Sequence, residues 1–405
     1  MDLINSLKMK KKAQIMYCSA LIVFFVVLTE LYRRMAVLYP GIYGHYESDI
    51  RARLSQGGNT TYSIFLMPEY FFDRHFGSAL GAWFIGIYLA LFTVGTIVVT
   101  FYFLKQLCPD VSNEMLAVFS FICLFLNGIF LYPLCPQFYS AYSGSVWHNE
   151  SFIGMRFFAL LVLLFFFRTH NQYMKRATIR DFLLECLLFT VVNWVKPNFV
   201  IAFAPAMLIM MIVDIVKSRG KGFVNWALYG IPVLIGSLIF LYQYSILYPS
   251  TGTVSENDSH VVFILGDTIK NQTFPVINFL CAFAFPVSVL IIHFKEIIRS
   301  KFYVVCYLAF VISFLEYAFI GESGPRMKDG NFSWGLHLFS FLVFCFSAAF
   351  FAKDVYSFRQ IRNASQKKVT PPYKLVCEKA LLSAHLASGF MYFVYVLLGS
   401  CAYYL

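Results

Sequence analysis

The chain has 405 residues, 59% of them hydrophobic and only 13% charged. An ordinary soluble domain carries about a quarter charged residues, so that class is excluded. The net charge of +11 invites a nucleic-acid reading, but the basic residues fall in short loops on alternate sides of apolar runs. That is the pattern of membrane topology control, and no nucleic-acid partner is expected.

In chain order, runs long enough to cross a hydrocarbon core occur at about 14–34, 79–104, 115–134, 154–168, 181–195, 199–216, 224–247, 276–294, 302–320, 334–352 and 378–404. Eleven crossings predict an all-α polytopic transmembrane helical bundle, one integral-membrane domain over residues 1–405. No soluble domain, internal repeat or low-complexity linker interrupts it. Lys8, Lys10, Lys11 and Lys12 precede the first run, and Tyr32-Arg33-Arg34 follows it in place of a small-residue cleavage site. This predicts a retained first helix of a multi-pass cell-membrane protein, with a cytoplasmic N-terminus and an exterior C-terminus. Of the 32 lysines and arginines, about 22 then lie inside and about 10 outside, as the positive-inside rule requires. The fifth and sixth runs are short and separated only by Lys196-Pro197-Asn198. They read as two spans or as one broken, re-entrant helix, whose freed backbone groups must face protein or a wet cavity.

The largest exterior segment runs from about Met35 to Ser78. Within it, Tyr62 to Phe76 is apolar and aromatic but too short and too charged to span. It reads as a helix lying in the interface, or as padding on the rim of the bundle. Upstream lies His45-Tyr46-Glu47-Ser48-Asp49-Ile50-Arg51-Ala52-Arg53. Two carboxylates two residues apart, followed by arginines, suit a general base held ionised by positive charge or a hard-metal site for a divalent cation such as Mg or Mn. A solvated amphipathic turn explains the same spacing.

The second exterior loop carries Trp147-His148-Asn149-Glu150-Ser151, followed by Arg156 at the head of the fourth span. An arginine at a helix end ordinarily snorkels to the interface. Lys196 is harder to dismiss, because the Lys-Pro kink puts an ammonium where apolar burial is expensive. Glu30 and Glu316, inside the first and ninth spans, are acids that can pair with Lys196 or Arg156, or face water. Late in the chain, Gly321 to Gly335 reads Gly-Glu-Ser-Gly-Pro-Arg-Met-Lys-Asp-Gly-Asn-Phe-Ser-Trp-Gly. Glycines let backbone N–H groups approach a ligand closely, and Arg326 and Lys328 supply charge for an anionic headgroup. A tightly turned surface loop is the plainer reading. All these clusters fall on one membrane face, which favours interfacial chemistry on a lipid-borne substrate over a midplane transport path. The ten cysteines show no metal-type or redox spacing, so neither a zinc site nor a disulfide framework is expected.

In layout the chain resembles the type C superfamily of polyprenyl-phosphate-sugar-dependent membrane glycosyltransferases. It shares a cytoplasmic N-terminus, one long span, a large first exterior loop with an acidic motif and interfacial helices, about ten further spans and a late charged exterior loop. In that superfamily an acid of the first exterior loop is the catalytic base or helps to hold a metal. Asp49 matches it, with Glu47 beside it, although the pair is Glu-Ser-Asp in place of Asp-X-Asp and no large soluble C-terminal domain follows. The chain also looks like bacterial polytopic proteins with a late signature carried here by Glu322, Gly324, Arg326, Gly330, Asn331, Phe332, Trp334 and Gly335.

The expected function is therefore transfer of a sugar from a polyprenyl-phosphate-linked donor to an envelope glycan or lipid acceptor on the outer face of the membrane. Asp49 and Glu47 are the expected catalytic pair and the expected ligands of any divalent cation. Arg326, Lys328, Lys196, Arg156, His148, Glu150, Glu322, Asn331 and Trp334 are the expected substrate contacts, and Trp147 and Trp334 are candidates for stacking on a sugar ring. The rivals are a polysaccharide polymerase or ligase, a transporter or flippase of lipid-linked oligosaccharide, and a structural subunit of an envelope complex.

Overall fold

The computed structural model describes residues 9–38, 63–135, 137, 139–169, 178–247, 260–264, 266, 269, 274–323, 330–365 and 370–399. It is an all-α polytopic helical bundle. The helices are α1 (Lys11–Leu38), α2 (Met67–Phe76, preceded by a 3-10 turn at Ile64–Leu66), α3 (Ser78–Leu107), α4 (Asn113–Phe125) and α5 (Glu150–Thr169). There follow α6 (Ile179–Val195), α7 (Asn198–Ser218), α8 (Phe223–Leu247), α9 (Pro275–Ile292), α10 (Phe294–Arg299), α11 (Lys301–Phe319), α12 (Ser333–Ala364) and α13 (Tyr373–Leu397). Among the described residues, nine helices are long and apolar enough to cross a membrane. Helices dominate because a chain in hydrocarbon must satisfy its own backbone polar groups. Local chemistry sets several ends: the Ser112 and Thr178 side chains accept N–H bonds at the starts of α4 and α6, and Arg219 closes α7 in the left-handed conformation.

The long helices run alternately up and down, which gives the bundle two ends. The starts of α5, α7 and α12 and the end of α6 meet at one end, called here the Lys196 end. His293 after α9, Asp354 in the later part of α12 and Glu378 early in α13 meet at the other, the His293 end. At the centre stands α12, whose most apolar 18-residue window is entirely buried against α3, α4, α7, α9, α11 and α13. Aromatic rings fill this centre; Phe346 alone meets Phe103, Phe302, Tyr303 and Tyr307. On the periphery, Ile22, Val23 and Val26 of α1 and Leu234, Leu238 and Leu241 of α8 are exposed. An outward apolar belt of this kind belongs next to lipid tails.

Two spans differ from the sequence reading. The third was expected to be helical over about 115–134, but α4 stops at Phe125 and Leu126 is already extended. The Gly128 carbonyl accepts from Ser388 Oγ at 2.6 Å, and Phe130 N–H donates to the same hydroxyl at 3.0 Å. Ile129 N–H donates to the Cys281 carbonyl at 3.0 Å. Cys281 lies where α9 is itself interrupted, by a non-helical Phe283 and by Pro286. His385 of α13 joins the two breaks. Its ring meets the Asn127 carbonyl at Nδ1 (2.6 Å) and accepts from Phe285 N–H at Nε2 (3.2 Å). A nitrogen that accepts carries no proton, so the imidazole is the neutral Nδ1–H tautomer. Gly389, one turn on, is the contact point with the end of α4: a Cβ there would overlap the Phe125 carbonyl.

At Lys196-Pro197 the chain turns back, so α6 and α7 are two antiparallel helices and not one continuing helix, although α6, with 17 residues, is not among the nine long enough to cross a membrane. Phe189 of α6 lies 6.0 Å, centroid to centroid, from both Phe199 and Phe203 of α7. In one continuing helix, residues 189 and 203 would stand about 21 Å apart along the axis.

Candidate functional site

At the Lys196 end, α5 opens with Asn149, whose φ of +79° is unusual for a residue with a side chain. Asparagine tolerates this region better than most, and here it caps the helix. Its Oδ1 accepts from Phe152 N–H at 2.9 Å and from Ser151 Oγ at 3.1 Å. The same oxygen accepts from Lys196 Nζ at 3.2 Å, and Ser151 Oγ accepts from Nζ at 3.1 Å. The ammonium also stands 4.5 Å from the centroid of the Trp334 ring. Only 3% of Lys196 is exposed. The backbone explains the burial: Lys196 ends α6 in an extended conformation before Pro197, which turns the chain and directs the side chain beneath α5.

Around this ammonium is an aromatic and imidazole wall. His148 is buried, packs edge-to-face on Tyr139, and has Nδ1 3.4 Å from the Tyr392 hydroxyl. His337 has Nδ1 2.8 Å from the Ser143 carbonyl and Nε2 3.0 Å from the Tyr139 hydroxyl. A carbonyl only accepts, so Nδ1 carries the proton and Nε2 takes the phenol proton. Phe152 touches both Trp334 and His337. One turn further along α5, Arg156 is completely buried, its guanidinium over Phe152 and Phe341 at 5.7 and 5.4 Å. None of the three Arg156 nitrogens has a hydrogen-bond partner. It does not snorkel; it is a cation aimed into the protein, an arrangement that a bound anion would satisfy.

Two carboxyls lie in the same region. Glu150 is the first residue of α5 and is buried. Glu69, in the first turn of α2, is wholly buried, and neither of its oxygens is hydrogen-bonded. Burial pushes the Glu69 carboxyl well above its ordinary 4.5, and the nearby charge of Glu150 raises it further. Both effects favour the protonated, neutral form of the carboxyl. Its helix is fixed from several sides: Phe72 stacks on Phe84 of α3 at 3.8 Å, Tyr88 donates to the Phe65 carbonyl, and Ser63 donates to the Val195 carbonyl.

The flanks of the late loop are anchored here too. Strands β1 (Val261–Phe263) and β2 (Ile320–Glu322) pair antiparallel, Val261 opposite Glu322. Glu322 Oε2 accepts from Asn331 Nδ2 at 2.7 Å, and the Asn331 carbonyl accepts from Asn198 Nδ2 at 2.8 Å. Asn198 follows Lys196-Pro197 directly, so the loop's exit and the lysine share one scaffold. Gly335 permits it: a Cβ would stand 3.3 Å from the Asn198 carbonyl.

Of the expected site residues, His148, Glu150, Arg156, Lys196, Glu322, Asn331 and Trp334 all lie at this end. Asp49, Glu47, Arg326 and Lys328 lie outside the described residues. Two expectations are corrected. Glu30 pairs with neither Lys196 nor Arg156; its two oxygens accept from Arg33 at 2.8 Å each, with Arg34 at 3.7 Å. Trp147 is no sugar platform: it is fully buried among Phe24, Phe125 and Phe393. Glu69 was not singled out in the sequence, where its segment reads either as a helix lying in the interface or as padding on the rim of the bundle. The available signal was a lone acid directly after Pro68 in a run of aromatics. The sequence matches no protein-family model and no curated protein.

Proposed function

We propose that the chain is a membrane glycosyltransferase that moves a sugar from a polyprenyl-phosphate-linked donor to a glycan or lipid acceptor at the Lys196 end of the bundle. The observation that carries this reading is that one end of the bundle buries two cations, Lys196 beside Trp334 and Arg156 further along α5, and also two neighbouring carboxyls, Glu69 and Glu150. Such a set suits a phosphate leaving group beside a sugar: cations stabilise the charge that grows on the phosphate, and an aromatic face receives the ring. The charge bias of the loops supports an exterior position for this end.

In the reaction, the bond between the sugar's anomeric carbon and the phosphate oxygen breaks, and the oxygen keeps the electron pair. The acceptor hydroxyl forms the new bond to that carbon and gives up its proton to a base. Asp49 is the base in this account, with Glu47 assisting. If the reaction uses Mg or Mn, these two carboxylates are its ligands. Lys196, Arg326 and Lys328 hold the phosphate, and Arg156 supports it from below. His148, Asn331 and Glu322 line the approach. The lipid tail lies along the exposed apolar helix faces.

A flippase or transporter of the same lipid-linked glycan is the second reading. What favours it is the pair of interrupted helices, α4 and α9, joined by His385, since broken helices are a recurrent feature of transporters. Reconstitution in liposomes with candidate polyprenyl-phosphate sugars separates the two, binding and transfer being measured independently. Asp49→Asn should lower turnover by about two to four orders of magnitude while donor binding survives. Lys196→Met should weaken donor binding about tenfold or more, because a charged hydrogen-bond donor is lost. Wild-type transfer by Asp49→Asn removes the base; unchanged donor binding in Lys196→Met removes the phosphate contact.

A further inference from the structure

At the opposite end of the bundle, three side chains from three separate parts of the fold point at one another. His293 follows the last turn of α9, Asp354 lies on α12 and Glu378 on α13. His293 Nε2 is 3.6 Å from Asp354 Oδ2 and 3.7 Å from Glu378 Oε1, and the three donor atoms all lie within 4.8 Å of one another. Both separations are too long for hydrogen bonds. They match instead the edges of a coordination polyhedron: with metal–ligand bonds of about 2.0–2.1 Å, tetrahedral neighbours stand roughly 3.3 Å apart. The two edges to His293 need a contraction of only a few tenths of an ångström, and the edge between the carboxylates, no longer than 4.8 Å, closes by side-chain rotation of Asp354 or Glu378.

Burial supplies an independent argument. Glu378 is wholly buried, and neither carboxylate oxygen has a hydrogen-bond donor; His293 Nε2 lacks a hydrogen-bond partner as well. A buried carboxylate with no donor is expensive, and it demands either a proton or a cation. The imidazole is aimed by stacking on Phe350, with ring centroids 4.7 Å apart at 24°. Lys374 reaches Asp354 Oδ2 at 2.8 Å from the solvent side, its own side chain 46% exposed. That is the same oxygen that faces His293, so ion binding requires Lys374, half exposed and flexible, to move to Oδ1 or to solvent.

We propose that His293, Asp354 and Glu378 form a binding site for a divalent first-row transition metal, Zn²⁺ in particular, that ties α9, α12 and α13 together at the His293 end. One imidazole and two carboxylates favour zinc or manganese over Mg²⁺, which prefers an all-oxygen octahedron. The three donors leave at least one position for water. Among the nine described cysteines, all free, none joins the set, so cysteine spacing carried no trace of it. The site lies on the other end of the bundle from the proposed transfer chemistry and does not depend on it.

The test uses the full chain in detergent, with any affinity tag removed and metal stripped by chelator, then titrated with Zn²⁺, Co²⁺ and Mg²⁺ separately. The expected result is one Zn²⁺ per chain, held at least about tenfold more tightly than Mg²⁺, with a rise in melting temperature. Co²⁺ should give the visible absorption of a low-coordinate nitrogen–oxygen site. Glu378→Gln and His293→Gln should each weaken Zn²⁺ binding about tenfold or more, whereas Lys374→Ala should keep the stoichiometry. Two variants guard against failure of one to fold, and the Co²⁺ spectrum of the wild type needs neither. No saturable Zn²⁺ binding, or equal binding by the wild type and both glutamine variants, overturns the proposal and leaves an ion-pair network only.

Discussion

Gly389→Ala should loosen the junction where α4 ends. The added Cβ would overlap the Phe125 carbonyl, with Phe125 C at 2.7 Å and Asn127 Cβ at 3.1 Å. The obstacle is backbone rather than the tip of a flexible side chain, so α13 must retreat. Retreat pulls on three hydrogen bonds within one turn of residue 389: His385 to the Asn127 carbonyl, Ser388 to the Gly128 carbonyl, and Phe130 N–H to Ser388. At about 1–1.5 kcal/mol net per bond the loss is roughly 3–4.5 kcal/mol, and the better helix propensity of alanine returns about 1. The net expectation is destabilisation by about 2–3.5 kcal/mol, read by reversible unfolding in mixed micelles. Gly230→Ala is the matched control, because there the nearest atom is only the methyl end of Met211, at 3.2 Å. The control should fall within about 1 kcal/mol of the wild type, in either direction. If the two alanine variants unfold alike, the close approach of α13 to the broken end of α4 is wrong.

Other expectations follow from single residues. Asn149 has positive φ and caps Phe152, so Asn149→Ala should cost about 2–3 kcal/mol from strain and lost cap together. Asn149→Gly should cost less by the same unfolding measurement, and a worse glycine variant would contradict the left-handed assignment. The folded-state value of the Glu69 carboxyl lies above its ordinary 4.5. Between those two values the folded chain binds more protons than the unfolded one, so stability falls as pH rises through that window. Glu69→Gln should flatten this fall in melting temperature as pH rises above 4.5; parallel slopes for the two proteins would remove Glu69 as its source. Trp147→Ala should cost about 3–5 kcal/mol as a core cavity, measured in the same way, and a neutral result would return Trp147 to the list of candidate ligand contacts.

The crossing helices were legible because hydrocarbon imposes a simple rule: long apolar runs become helices. The break after Phe125 was missed because Asn127-Gly128, a turn dipeptide, sits inside an otherwise apolar run that reads as one span. The conformation there is set by His385, Ser388 and Cys281, far away in sequence, which receive the backbone groups that a helix would have used. At Lys196-Pro197 the residues allowed either a hairpin or a broken helix, and only the packing of Phe189 on Phe203 decides. Charge at an apolar junction was a sound signal for Lys196. It failed for Glu30, where two arginines within one turn of the same helix are sufficient partners. His293, Asp354 and Glu378 were invisible for a different reason: they lie among the basic residues of the other end, and a charge there reads as topology control.

The most direct measurement of the central claim follows a donor labelled in its sugar through one turnover in liposomes carrying the wild-type chain. The account predicts that label appears in a new glycosidic bond on the acceptor, while free polyprenyl phosphate is released one for one. Labelled donor recovered intact on the opposite leaflet, with no acceptor product, would contradict it and make the chain a transporter.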